Sequence, residues 1–149
     1  MVDTSGSVSK SMYTTFMNEI ISMMGQIRGD SELNLIMWHD YVYSTPEQFH
    51  IDPSNIDKIK NAPFETRGTN FSSAIKFYND HTVDLDETNI IIVFTDGDFF
   101  NDADKNPNLL QSIPDNVKIV FVLFQPSTRA VIDTYKHSNI SVIETNINR

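Results

Sequence analysis

Apolar residues change period several times along the chain, and each change marks an element. From Ser9 to about Ile27, the positions Met12, Phe16, Ile20, Met23, Met24 and Ile27 lie along one helical face, so an amphipathic helix is predicted, closed by Gly29-Asp30. Leu33 to Trp38 reads as a strand. His39-Asp40 interrupts it before a second short run, Tyr41 to Ser44, so the pair forms either a hairpin or one long bulged strand. Phe49-His50-Ile51 reads as an edge strand, and Pro53, suited to a first helical turn, opens a short helix through Lys60 with Ile56 and Ile59 inward. After a loop from Pro63 to Gly68, the spacing of Phe71, Ala74, Ile75 and Tyr78 predicts a helix from Asn70 to about Asn79, with Thr69 as its N-cap. Ile90 to Phe94 is apolar on both faces, as a parallel strand covered by helices on both sides must be. Leu109-Leu110 marks a short helix, Val117 to Phe124 a second buried strand, Ser127 to Lys136 a helix and Ile140 to Ile143 a last strand.

Strands alternating with helices predict an α/β fold: three layers, α/β/α, around an open, mostly parallel sheet. No internal repeat or boundary divides residues 1–149, so one domain is expected. Such sheets bind their ligands beyond the carboxyl ends of the strands, so the loops leaving those ends are the places to look for chemistry. Asp3-Thr4-Ser5-Gly6-Ser7 places a carboxylate and two hydroxyls at alternate loop positions ahead of the first helix. Thr69 lies in Arg67-Gly68-Thr69-Asn70-Phe71, and Asp96 in Phe94-Thr95-Asp96-Gly97-Asp98 after the apolar strand. Carboxylates with neutral hydroxyls form the hard oxygen set that suits Mg²⁺, which keeps several waters and binds few protein ligands.

Taken in order, Asp3-x-Ser5-x-Ser7, Thr69 in Gly-Thr-Asn-Phe, and Thr95-Asp96-Gly97 resemble the metal-ion-dependent adhesion site of von Willebrand factor A (vWA) domains. The resemblance runs over nearly the whole chain. Its middle segment is closest to vWA-like domains of bacteria and their phages, some of which sit beside a metallopeptidase-like region. It implies a vWA/Rossmann-like fold in which Ser5, Ser7 and Thr69 offer hydroxyl oxygens, and Asp3 and Asp96 act directly or through water on Mg²⁺ (or Mn²⁺ or Ca²⁺). It also implies one coordination position for a Glu or Asp carboxylate of a partner protein, in a larger assembly. In that family the strand before Asp3 lies at the centre of the sheet. Here Met1-Val2 alone precede it, so the expectation is a truncated first central strand, with an N-terminal strand or an upstream region missing.

Charge narrows the choice of partner. Twenty acidic against eleven basic residues give a formal net charge of −9, which disfavours nucleic acid and anionic membrane surfaces. Cysteine is absent, excluding disulfides, zinc-thiolate sites and thiol catalysis. No apolar run approaches the ~20 residues of a membrane span and no signal peptide is visible, so a cytoplasmic protein is expected. His39, His50, His81 and His137 show no zinc-hydrolase spacing, and Ser5 lies outside a nucleophile-elbow context. With no catalytic constellation evident, the resemblance implies a non-enzymatic binding module as the expected function. The rival is a regulatory or catalytic part of a metal-dependent hydrolase, such as a metallopeptidase-like protein. Oligomeric state is left open. Among secondary features, Trp38 is expected in the core, Asp40 in an exposed turn, and Asp98, Asp102 and Asp104 in a solvated loop. Phe99-Phe100 reads equally as an exposed rim or as ordinary packing.

Overall fold

The structure, a computed structural model, describes residues 1–24, 33–43, 50–51, 64, 66–81, 90–99, 101–124 and 129–145. Its elements are β1 (Val2–Asp3), α1 (Lys10–Met24), β2 (Leu33–Asn34), β3 (Met37–Trp38), β4 (His50–Ile51), α2 (Phe71–His81), β5 (Ile90–Thr95), a 3₁₀ turn (Leu109–Ser112), β6 (Lys118–Leu123), α3 (Arg129–Thr134) and β7 (Ile140–Glu144). Five strands form one parallel sheet in the order β3-β1-β5-β6-β7, while β2 and β4 pair antiparallel. This is the α/β architecture expected from the alternation of elements.

Period-two alternation sends side chains to opposite faces of the sheet. Ile91 and Val93 of β5 and Ile119, Phe121 and Leu123 of β6 join Trp38, Phe71, Ala74, Ile75, Leu110 and Ile132 in one cluster, beneath α2, the 3₁₀ turn and α3. Phe94 joins Val2, Leu35 and Met37 against Val8, Met12, Phe16 and Ile20 of α1, with Ile92 and Val122 packed at the margin. Aromatic pairs tie the layers together. Phe16 meets Phe124 edge-on with ring centroids 4.6 Å apart, and Phe71 lies within 5.2 Å of Trp38 and 5.3 Å of Phe99.

One consequence of the strand order fixes the site. From β1 the chain passes through α1 on one face to β3, whereas after β5 it passes over the other face, where Phe99 and Leu110 are buried. The order therefore reverses between β1 and β5, and an α/β sheet opens its ligand crevice at such a point, outside the carboxyl ends. Asp3 ends β1, and Asp96 comes directly after β5.

Several expectations need adjustment. The run Leu33 to Trp38 is two short strands, and the His39-Asp40 break is a tight reversal: Trp38 bridges Val42 antiparallel, and the Tyr43 amide donates to the Met37 carbonyl at 3.1 Å. The predicted helix from Pro53 to Lys60 lies outside the described residues, as do Ser44, Phe49, Phe100 and the end of the first helix beyond Met24. Phe99 belongs to the core, 4% exposed and stacked on Phe71, so it supplies no exposed rim. Asp104, expected in a solvated loop, is fully buried, whereas Asp98 and Asp102 are exposed as expected. α2 begins at Phe71, so Asn70 and not Thr69 occupies the position ahead of it. β1 has two residues where the neighbouring β5 has six.

Candidate metal centre

Asp3 is fully buried and its two carboxylate oxygens are held from different directions. The Ser5 amide donates to Oδ1 at 2.8 Å, and the Thr95 hydroxyl donates to Oδ2 at 2.6 Å. Thr95 Oγ1 in turn accepts the Gly97 amide at 2.9 Å, so one buried hydroxyl links Asp3 to the turn just past Asp96. Gly97 has φ 74°, a left-handed conformation that a residue with a Cβ adopts only under strain. Asp96 is also fully buried, and its Oδ1 accepts the Asp98 amide at 3.1 Å.

The electrostatics derive from that burial. Loss of water first, and the negative charge of Asp96 second, push the Asp3 carboxyl up from its ordinary 3.8 to about 7, against the pull of the Ser5 and Thr95 donors. Among the described residues no cation acts on Asp3. Two acids thus lie near one another in the interior, with hydrogen bonds fixing their orientation and, among the described residues, no basic side chain acting on Asp3.

The hydroxyls arrive on two loops. Ser5 Oγ lies 3.3 Å from Ser7 Oγ; Ser5 is buried and Ser7 exposed, so the pair runs from the interior to the surface. The loop is closed by the Val8 amide donating to the Ser5 carbonyl at 2.9 Å, and α1 starts where Ser9 Oγ accepts the Met12 amide at 3.2 Å. Ser5 also pairs with Arg67 in an isolated parallel bridge, which lays the segment carrying Thr69 beside the Ser5 loop. Contact there is close: a Cβ on Gly6 would lie 3.1 Å from the Arg67 carbonyl oxygen. Thr69 is 5% exposed; its carbonyl accepts the Asn101 side-chain amide at 3.0 Å, and the next amide, of Asn70, donates to the His39 carbonyl at 2.7 Å.

Asp3, Ser5, Ser7 and Asp96 therefore come together, and the Thr69 segment lies against the Ser5 loop. Thr95 and Asp104 also belong to the surroundings, and sequence reasoning gave neither a role. Thr95 carried a signal, being a hydroxyl residue at the very end of the buried strand facing β1. Asp104 carried none, because its partners are on α2. Among the described residues no three His, Cys, Asp or Glu side chains form a cluster of their own; this donor set is two carboxylates with hydroxyls.

No protein-family model matches the chain, and no curated protein does. Among solved structures, it is similar to a crystal structure of an aerotolerance-related membrane protein from Bacteroides fragilis that carries multiple mutations to serines. The TM-score is 0.60 at 16% identity, covering 82% of this chain. The fold is vWA/Rossmann-like. The chain spans 64% of the length of that neighbour. Among the described residues, no helix of this chain is long and apolar enough to cross a membrane.

Proposed function

We propose that this chain is a divalent-cation-dependent protein-binding module. The observation that carries the reading is the burial of Asp3 and Asp96 side by side at the point where the strand order reverses, with Asp3 raised by desolvation and by Asp96. Burying like charges together is unfavourable unless something positive joins them. The donors fit a hard cation: Asp3, Asp96, Ser5, Ser7 and Thr69 present oxygen only, two of them anionic, a composition suited to Mg²⁺ or Mn²⁺ with bound waters. Such an ion, with its two carboxylates acting partly through bound water, would supply an electrophilic position for a carboxylate from a partner's Glu or Asp.

The chain's own residues do the remaining work. The Ser5 amide and the Thr95 hydroxyl hold Asp3 in one orientation, which favours a single coordination geometry over a loose one. Ser7 is exposed at the surface, where a partner would approach. Beside it Arg67 places its guanidinium 5.6 Å from the ring centroid of Tyr41, which is 44% exposed. That pair offers a positive charge and an aromatic surface to an acidic partner on a chain whose net charge of −9 would otherwise repel it.

The test is capture of a partner by the wild-type chain and by Asp96→Ala, in Mg²⁺ and in EDTA. Retention in Mg²⁺ alone, lost in the variant while its fold persists by circular dichroism, supports the reading. Capture indifferent to chelation overturns it.

A further inference from the structure

We infer that Asp104 is a positioning residue for the candidate centre, clamping the Thr69 segment to the loop that carries Asp96; this rests on the reading of the centre as a cation site. The first amides of a helix lack partners within it. In α2 those of Phe71 and Ser72 donate to Asp104 Oδ2 and Oδ1 at 2.8 and 2.9 Å, across 33 and 32 residues of sequence. A local cap would satisfy them more simply. Asn70 stands in the right place, yet its side-chain oxygen accepts the Ser72 hydroxyl and its carbonyl accepts the Ser73 hydroxyl at 2.6 Å.

The carboxylate that takes over comes from the loop after β5, and the same loop holds the other side of the segment, because Asn101 donates its side-chain amide to the Thr69 carbonyl at 3.0 Å. Thr69 and Asn70 are thus gripped before and after by residues 101 and 104. Asp104 is itself fixed. It is fully buried, and its carbonyl accepts the Tyr135 hydroxyl, which ties the loop to the region after α3. The Thr69 segment is therefore held to the loop after Asp96 by the buried Asp104 carboxylate together with the Asn101 side-chain amide. The approximate isostere Asp104→Asn retains a single acceptor oxygen for two amides and lacks the charge that favours a helix N-terminus.

A cap that merely stabilises α2 would lower thermal stability and leave metal affinity alone. Positioning predicts more. With Mn²⁺ as the probe and the full chain, Asp104→Asn should weaken binding roughly tenfold, the scale of lost outer-shell support. A control in the same core, Ile113→Val, with its melting point matched by adding a second mild core truncation if needed, should leave affinity within about twofold of wild type. Adding Asp104→Asn to Thr69→Ala should produce no further loss, because residues acting through one contact are not additive. Asn101→Ala, which removes the second grip, should weaken binding in the same sense if Asp104→Asn fails to fold. Losses that merely track stability, or that add fully to Thr69→Ala, overturn the proposal.

Hydrogen exchange separates this inference from the reading beneath it. In Asp104→Asn, or in Asn101→Ala if the former does not fold, the Asn70, Phe71 and Ser72 amides should exchange faster with or without metal. If wild type binds no Mn²⁺, the binding-module reading fails and exchange alone decides the clamp: unchanged protection at those amides sinks it.

Discussion

Asp3→Asn tests the strain in the crevice directly. In the unfolded chain the Asp3 carboxyl titrates near 3.8, and in the fold near 7. The folded state therefore holds a proton through that window which the unfolded state has released, so stability falls as pH rises from about 4 to about 7 and stays low above it. A gap of about three pH units at ~1.4 kcal/mol each sets an upper limit of ~4 kcal/mol on the penalty at pH 8. Asparagine removes the charge and retains an acceptor for the Ser5 amide. Its amide nitrogen, however, faces a Thr95 hydroxyl that had been donating, a mismatch that costs about 1 to 2 kcal/mol. In EDTA, Asp3→Asn should consequently be more stable than wild type by ~2 kcal/mol at pH 8, equal or slightly less stable at pH 5, and nearly flat between. For a domain of this size that is a melting-point rise of roughly 4 to 8 °C at pH 8. Thermal scans at both pH values, with and without Mg²⁺, read the effect; the metal should raise the wild-type melting point at pH 8 and leave the variant unmoved. A loss of stability equal at both pH values would show that Asp3 is an ordinary hydrogen-bonded core carboxyl, and the reasoning would fail.

Two further substitutions probe the supports of the crevice. Thr95→Val preserves shape but strips a donor from Asp3 and an acceptor from the buried Gly97 amide, so a loss of about 2 to 3 kcal/mol in urea denaturation is expected, together with weaker Mn²⁺ binding. Phe99→Ala empties a site stacked on Phe71 and should cost about 3 to 5 kcal/mol, enough to leave the chain close to unfolded; a change below about 1 kcal/mol would return Phe99 to the surface role the sequence also allowed.

The parts of the fold that the sequence made legible are those specified locally. Phe71, Ala74, Ile75 and Tyr78 are buried on one face of α2 as their spacing requires, and Trp38 is in the core. Ile90 to Phe94 lies within β5, although Ile90, at the open end, is 58% exposed. The segments carrying Asp3 and Asp96 could be located for the same local reason, since each comes at the end of an apolar strand. What stayed hidden depends on partners distant in sequence. Asp104 looked like any loop aspartate until α2 brought two amides to it. Thr69 looked like a cap because a threonine before an apolar helix usually is one; the helix starts one turn position later and borrows its acceptor from across the fold. Phe99 was ambiguous for the same reason: an aromatic next to an acidic loop is buried or exposed according to what packs from the far face, here Phe71 and Trp38.

The central claim concerns a cation among Asp3, Ser5, Ser7, Thr69 and Asp96, and titration calorimetry of the metal-free chain with Mn²⁺ and Mg²⁺ at pH 8 addresses it without need of a partner. The account predicts one site per chain, affinity that declines as the pH is lowered and Asp3 takes up its proton, and no measurable heat for Asp96→Ala. Absence of binding by the wild-type chain at millimolar metal, or binding that survives Asp96→Ala unchanged, would contradict it.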